Sequence, residues 1–186
     1  MQTPNGEFTK DELSLIHSAD SIMRVLTVTD SLDNQVLRTE STDLSTTALL
    51  SKDYSRLCEL MLATVTHPSQ DGVGIAAPQV GLNRRVVAVL RFDKPEEPFE
   101  VYANIRIIRR SKAKAAGEEG CLSVPDARGE VMRSKEIEIE YVDMEQLKNG
   151  KYAMKREKIN GFTAVIFQHE TDHLDGIIYT DRVKTK

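Results

Sequence analysis

Two histidines, a glutamate and a cysteine have the residue types and the spacing of a metal site that could do chemistry. His169 and His173 lie in the string His169-Glu170-Thr171-Asp172-His173, and Cys121 lies well upstream. Helix side chains four residues apart project from one face, so both imidazoles can reach one ion while Glu170 stands beside the remaining position. Structural zinc sites normally have four protein ligands, whereas three leave a position for water or substrate. The spacing therefore predicts a catalytic metal site with its own base.

A chance match is the alternative, because an HExxH string can arise on any surface helix. Here the string belongs to a longer block, QHETDHLDG, in which Gln168 precedes it and Leu174-Asp175-Gly176 follows it. Chance explains the whole block far less readily than the short string. We therefore interpret the block as functional.

The histidines must be held by a helix, and residues 161–174 have the pattern of a buried one. Asn160 is a candidate N-cap, and apolar residues follow on almost every side of the helix, at Phe162, Ala164, Val165, Ile166 and Phe167. A helix that is apolar all round is typical of the centre of a domain. We expect the metal ligands to lie on such a helix.

Strands surround this helix in the predicted fold. Runs rich in β-branched residues predict strands at residues 85–91, 99–109 and 135–142, the last strictly alternating. The Asn149-Gly150 pair is favoured in tight hairpins and predicts a turn into a further strand at residues 152–159. The predicted fold class is α+β, with antiparallel β-sheets packed around a central buried helix that carries the HExxH motif, plus a long N-terminal helix.

Three elements are predicted ahead of these strands. Residues 9–22 fit a short amphipathic helix with Thr9 as the N-cap of a capping box. Residues 24–29 have the composition of a short β segment. A long helix that packs on a sheet is expected to begin at Ser45 or Ser51 and to end near residue 67, before a proline.

The composition narrows the class of protein. The chain has 186 residues, a size that favours one domain, and 40% of them are hydrophobic. No apolar run approaches the length needed to cross a bilayer, and a net charge of -4 argues against a nucleic-acid-binding surface. Two cysteines cannot form a dense disulfide framework, so a reducing compartment is expected. The start of the sequence has no charged-then-apolar signal, which favours the cytoplasm.

A glycine-rich loop, Gly72-Val73-Gly74-Ile75-Ala76-Ala77-Pro78-Gln79, precedes the first strand run. It lacks the Lys-Ser or Lys-Thr ending of a phosphate-binding loop and the flanking pattern of a dinucleotide fingerprint. Glycines at 72 and 74 would instead let a substrate approach the backbone closely. Gln79 supplies a neutral amide donor, which suits a polarised carbonyl near a metal.

Taken together, GVGIAAPQ, EGCLS and QHETDHLDG resemble, in this order and at these separations, the three signature motifs of peptide deformylases. These enzymes remove the formyl group from the N-terminal methionine of new bacterial or organellar proteins. The resemblance runs from about Arg24 to the end of the sequence, and no catalytic group in the three motifs is replaced.

The resemblance implies a single catalytic domain over residues 1–186, in which 1–23 form an N-terminal extension. It implies a cytoplasmic bacterial enzyme that releases formate from N-formylmethionyl nascent peptides, which could be met at the ribosome. No membrane and no direct nucleic-acid partner are implied, and the oligomeric state stays open.

A ligand set and a metal also follow from the resemblance. Its metal ligands would be Cys121, His169 and His173, with water in the fourth position. Cys-His-His suits Zn²⁺ by softness and geometry, whereas deformylases generally use Fe²⁺ in their most active form. One divalent ion is therefore implied, Fe²⁺ first, with Zn²⁺, Ni²⁺ or Co²⁺ as alternatives.

The catalytic and substrate-binding roles are implied in the same way. Glu170 would act as base and then as acid, and the Gln79 amide and the Leu122 N–H would stabilise the oxyanion. The methionine pocket would be formed by Val73, Phe162, Val165 and Ile166, although plain core packing is as good an explanation for the helix residues. Gly74 and Gly120 would pair with the peptide backbone and Arg128 would face it, while Arg133 would pair with Glu119 behind the cysteine.

Two rival functions stay open at this point. HExxH also serves peptidases that cleave internal peptide bonds, although a cysteine ligand and the EGCLS block argue against that class. A deformylase-like paralogue with a narrowed substrate range, or a metal-binding relative without activity, is the other alternative. For an inactive relative we would expect loss of Glu170 or Gln79, and both are present.

Overall fold

The computed structural model describes residues 6–183, so residues 1–5 and 184–186 of the predicted single domain lie outside it. The helices are α1 Lys10–Ser18, α2 Ser31–Leu37, α3 Thr46–Leu49, α4 Lys52–Val65, α5 Met144–Lys148 and α6 Gly161–Leu174, with 3-10 turns at Ala77–Val80 and Tyr179–Arg182. The strands are β1 Gly74–Ala76, β2 Val86–Leu90, β3 Phe99–Ala103, β4 Arg106–Arg110, β5 Lys114–Cys121, β6 Val124–Ser134, β7 Glu136–Val142 and β8 Met154–Asn160.

The strands form three sheets, in the orders β1-β2-β3, β4-β7-β8 and β5-β6. Every pairing between these strands is antiparallel. The predicted α+β class with antiparallel sheets is therefore confirmed. No helix among the described residues is long and apolar enough to cross a membrane.

Helix α6 packs against two of the sheets. Its buried residues Ala164, Ile166, Phe167 and Leu174 share one hydrophobic cluster with Val87, Val89 and Tyr102 of the first sheet and with Ile137, Ile139 and Ile159 of the second. The sides of the helix that meet the two sheets are apolar because they pack against apolar residues there. It is thereby fixed in position along most of its length.

Two predicted N-terminal helices are present, although α1 ends at Ser18 and not at the predicted residue 22. Thr9 caps α1, and its hydroxyl and the Glu12 side chain make the reciprocal hydrogen bonds of a capping box. Of the two starts considered for the long helix, Ser51 is the N-cap of α4. Ser45 caps the separate short helix α3.

Three details of the predicted strands are wrong. Residues 24–29 form no strand. Their backbone makes one hydrogen bond to each of two different loops, from Leu26 N to Gln79 O and from Val28 N to Ser123 O, and so does not pair with one strand. The run at 99–109 is split into β3 and β4 at Asn104, whose φ of 50° leaves the extended region. Asn149-Gly150 ends helix α5 instead of forming a tight hairpin, although β7 and β8 do pair.

The β5–β6 hairpin was not predicted, and it is the element that carries Cys121. Its first strand, KAAGEEGC, has no β-branched residue and little propensity for extended structure. Pairing with the longer β6 supplies the stability that the local sequence lacks.

The N-terminal segment packs onto the same body of the protein. Ile16 of α1 is fully buried in a cluster with Leu57, Leu60 and Met61 of α4. Arg84 donates to both carboxylate oxygens of Glu12, at 2.7 and 2.8 Å, and both side chains are almost inaccessible. Burying this pair fixes α1 next to the loop that precedes β2.

Candidate metal centre

The end of strand β5 and the second half of helix α6 bring one thiol and two imidazoles together. Cys121, His169 and His173 each offer a ligand atom, and these atoms lie within 4.8 Å of one another. Cys121 Sγ is 3.3 Å from His173 Nε2. Two ligands of a tetrahedral ion with bonds of about 2.0 and 2.3 Å would be separated by about 3.5 Å. The donor atoms therefore fit a divalent ion, with three ligands and an open fourth position.

The charges around the donor atoms also favour a cation. Burial alone would lower the pKa of His169, but the Cys121 thiol and the Glu119 carboxylate outweigh it and raise this pKa to about 10. Burial keeps the pKa of His173 well below its ordinary value, so that imidazole is available as a neutral ligand. A metal ion at this site would have to replace the proton on His169, whereas the neutral His173 nitrogen could bind the ion directly.

A chain of ion pairs holds the ligands from behind. Glu119 accepts from His169 Nδ1 at 2.8 Å and from Arg133 at 2.7 and 2.9 Å, which confirms the expected Arg133–Glu119 pair. Arg133 also donates to Asp172 at 2.5 Å, and Arg182 donates to both oxygens of Asp172 at 2.6 and 2.7 Å. Although burial raises the pKa of Glu119, its pairs with Arg133 and His169 bring it down to about 2, so Glu119 stays ionised. Such contacts fix the orientation of a ligating imidazole.

Glu170 lies beside the ligand cluster with its carboxylate almost fully buried. Within residues 6–183, its Oε2 has no hydrogen-bond partner. Burial raises the pKa of this carboxyl to about 7. A carboxylate in that range can both accept and release a proton near neutral pH.

Gly74 has a steric role that was not predicted from the sequence. A Cβ at this position would lie 2.5 Å from Glu170 Oε1 and 2.9 Å from its Cγ and Cδ. The missing side chain therefore makes room for Glu170, in addition to any approach by a substrate.

Gln79 is held between the glycine-rich loop and the cysteine loop. Its Oε1 accepts from Ala76 N at 2.9 Å, which fixes the amide orientation. Its Nε2 lies 3.2 Å from Ser123 Oγ and 3.5 Å from Cys121 Sγ. The amide donor is thus held beside the Cys121 sulfur, one of the three candidate ligand atoms.

One cleft of about 1010 Å³ opens onto this centre. It is lined by almost all of the residues expected from the sequence, namely Gln79, Cys121, Leu122, His169 and Glu170 together with Val73, Gly74, Gly120, Arg128, Phe162, Val165 and Ile166. His173 is fully buried beneath the cleft. Val73 and Phe162 are exposed at its rim, while Ile166 also belongs to the core cluster around α6.

Arg182 and Ser123 are part of this arrangement but were not assigned a role from the sequence. Ser123 was inside the EGCLS block, and its hydroxyl is fully buried against Gln79. Asp172 gave an indirect signal for Arg182, because a carboxylate on a buried helix needs a cationic partner. The sequence could not say which arginine that partner would be.

Comparisons with known proteins agree with this geometry. The family model described as polypeptide deformylase matches residues 23–186. A peptide deformylase of Leptospira biflexa is 37% identical over 161 residues, which are 83% of this chain and 86% of that protein.

Two solved structures of the class I type b peptide deformylase from Acinetobacter baumannii are similar in fold. The one bound to Met-Ala-Ser has a TM-score of 0.74 and 34% identity, and the match covers 87% of this chain and 98% of that one. The one bound to actinonin has a TM-score of 0.75 and 33% identity, with coverage of 89% and 100%. The family match over most of the sequence and the ligand cluster in the structure lead to one conclusion: the chain belongs to the peptide deformylase family.

Proposed function

We propose that this chain removes the formyl group from N-formylmethionyl peptides in the cleft above Cys121, His169 and His173. The observation that carries the proposal is the three-ligand cluster with the buried, partly unpaired Glu170 beside it. Family membership favours this reaction over internal peptide cleavage.

The three ligands would hold one divalent ion, which when bound would act as a Lewis acid on the formyl carbonyl. We propose Fe²⁺ as the native ion, because the family generally uses it, and Zn²⁺, Ni²⁺ or Co²⁺ as ions that the same donors would accept. An open Fe²⁺-thiolate site would make the enzyme sensitive to oxygen, since the Cys121 sulfur can be oxidised.

Glu170 would move the proton. As base it would accept a proton from the attacking water, and as acid it would then give that proton to the amine that leaves. Its burial and the free Oε2 support this role, since a carboxylate already engaged in two hydrogen bonds would have to break one first. The products would be formate and a peptide with a free N-terminal amine.

Gln79 and Leu122 would stabilise the oxyanion that forms from the formyl oxygen. The Gln79 amide has its oxygen bonded to Ala76 N, so that its Nε2 is the end turned toward Cys121. A donor fixed in this way needs no reorganisation when charge develops, and the Leu122 backbone N–H would add a second donor.

The rest of the cleft would bind the peptide. Apolar side chains at Val73, Phe162, Val165 and Ile166 line it, which suits a flexible methionine side chain. Gly74 and Gly120 would pair with the peptide backbone as in strand addition, and the exposed Arg128 would face the peptide. The solved relative bound to Met-Ala-Ser is consistent with such a peptide site.

We also propose that residues 1–186 form one catalytic domain in which 1–23 are an extension and α6 is the central helix. The burial of Ile16 and the Glu12–Arg84 pair support a single body. A cytoplasmic bacterial location, with nascent chains as substrates at the ribosome, follows from the proposed reaction, because formylated chains are made there.

Formate release from a formyl-Met-Ala-Ser peptide tests the proposal. The protein would be prepared without oxygen and loaded with Fe²⁺ or Ni²⁺, and Glu170→Ala would be the matched variant. We expect the wild type to release formate and leave the peptide bonds intact, whereas Glu170→Ala keeps the metal and has no turnover. Full activity in Glu170→Ala would refute the mechanism.

Two other results would favour the rival functions. Cleavage of internal bonds in unformylated peptides would indicate a peptidase. No release by wild-type protein with one metal bound per chain would indicate an inactive or specialised relative.

A further inference from the structure

Strand β5 and helix α6 contact each other at two pairs of residues, whose spacing matches the repeats of a strand and a helix. Every second residue of a strand advances by about 6.6 Å, and every fourth residue of a helix advances by about 6 Å. The two pairs in contact are Cys121 with His173 and Glu119 with His169. The next pair in this series is Gly117 and Val165, and both residues line one cavity.

At Gly117 the strand has no side chain that could fill this cavity. A Cβ at Gly117 would meet nothing within 4 Å. The space is part of an open cavity of about 630 Å³, whose wall includes Ala115, Gly117, Val131, Phe162 and Val165. Cavities of about 300–1,000 Å³ are large enough for small-molecule ligands or their substituents.

This cavity adjoins the cleft above the metal centre. Phe162 and Val165, which are predicted to contact the methionine side chain, line both spaces, as does Glu119. Of the charged residues in its wall, the buried Glu119 and Arg133 are paired with each other, whereas Glu118, Lys135 and Glu136 are exposed to solvent. An uncharged, apolar group attached to the substrate is therefore the occupant that fits.

We propose that the pocket for the first side chain of the formylated peptide continues past Gly117 into this cavity. The chain would then accept linear apolar first residues that are longer than methionine, and Gly117 would set the depth of the pocket. This inference rests on the proposed deformylase function and adds a specificity that the function itself does not require. Val165 and Phe162 would contact the near part of the side chain, and Ala115 and Val131 the far part.

The size of the effect follows from the burial of methylene groups. Each methylene that moves from water into an apolar cavity improves binding by about fourfold. A first side chain two methylenes longer should therefore gain up to about tenfold in kcat/KM if the cavity is free to receive it. A closed pocket would reject the same side chain.

Three formylated tripeptides test the proposal, with norleucine, 2-aminooctanoic acid or 2-aminodecanoic acid followed by Ala-Ser. In the wild type we expect kcat/KM for the aminooctanoyl peptide to equal or exceed that for the norleucyl peptide, by up to about tenfold. Gly117→Leu should lower this ratio by at least tenfold, and Gly117→Val should lie between. The backbone at Gly117 is not in the left-handed region, so side chains are accommodated there.

Lys114→Val is the matched control. It adds a β-branched residue to the same strand at a position that lines neither the cleft nor the cavity. It should leave the ratio unchanged. The affinities of the unformylated product peptides provide a second readout, because they report occupancy of the pocket without turnover.

The outcomes separate the two proposals. Suppose that formate is released from formyl-Met-Ala-Ser but that kcat/KM for the aminooctanoyl peptide is at least tenfold below that for the norleucyl peptide. This result would overturn the deep pocket and leave the deformylase function intact. The same ratio in wild type and Gly117→Leu would also overturn it. No release from any peptide would contradict the proposed function, and product affinities that do not respond to chain length or to Gly117→Leu would then overturn the deep pocket as well.

Discussion

Replacing Gly74 by alanine should disable Glu170 without touching a metal ligand. A methyl group at residue 74 would lie 2.5 Å from Glu170 Oε1, whereas ordinary contact begins at 3.4 Å. The carboxylate must therefore move by about 0.9 Å. A misplacement of about 1 Å in a group that transfers a proton can reduce the rate by about a hundredfold.

The cost in stability should be small, because the atoms that must yield belong to a side chain and not to the backbone. Overpacking at the low end of its range costs about 1 kcal/mol. Alanine in place of glycine restricts the unfolded chain and offsets about 0.4–1 kcal/mol of that cost. Gly74→Ala should therefore fold, bind metal and lose most of its turnover.

Two measurements separate this effect from a loss of substrate binding. In steady-state assays with formyl-Met-Ala-Ser, kcat should fall by about a hundredfold while KM stays within about threefold. In urea unfolding, Gly74→Ala should hardly change the free energy of unfolding when Glu170 is present. In a protein that already carries Glu170→Ala, it should raise that free energy by about 0.4–1 kcal/mol. The difference between these two effects on the free energy of unfolding measures the contact between the methyl group and the Glu170 side chain.

A wild-type kcat in Gly74→Ala would refute this prediction, because it would mean that the methyl group does not displace the Glu170 carboxylate. An unchanged kcat with a strongly raised KM would mean that Gly74 acts on the peptide and not on Glu170. Identical effects on stability in both backgrounds would show that the methyl group does not meet the Glu170 side chain.

The remaining predictions concern the donor, the ligands and the N-terminal segment. Gln79→Ala should lower kcat by about a hundredfold to a thousandfold with metal content unchanged, as measured by formate release and metal analysis. Cys121→Ala should lose the ion on dialysis, and added metal should no longer raise its melting temperature. Arg84→Leu should cost about 3–5 kcal/mol in urea unfolding, because it leaves the buried Glu12 carboxylate without its cation. A loss below about 1 kcal/mol would show that α1 is not held by this pair.

Local patterns predicted the parts of the fold that depend on neighbouring residues. The capping box at Thr9 and the helix from Gly161 to Leu174 were both predicted, since caps and helical periodicity involve residues at most four apart. The β5–β6 hairpin was missed for the opposite reason. Its alanines and glycines have weak strand propensity, and only pairing with a distant strand makes them extended.

Within the site, the sequence by itself determined which groups are available. Spacing gave His169, Glu170 and His173 as one unit, Cys121 and Gln79 were candidates from their own motifs, and the resemblance added Leu122. These residues define what can bind a metal, move a proton and donate to an oxyanion, because those abilities belong to the side chains themselves.

Only the tertiary structure decided how these groups are held and what space surrounds them. Arg182 contacts Asp172, Gly74 leaves room for Glu170, and Gly117 and Val165 line one cavity, although the members of each pair lie on different elements of the fold. The free energy of such contacts depends on distance and burial, which no local pattern encodes. Chemistry could therefore be predicted from residue types, whereas the positions of the groups and the cavity beside Gly117 required the fold.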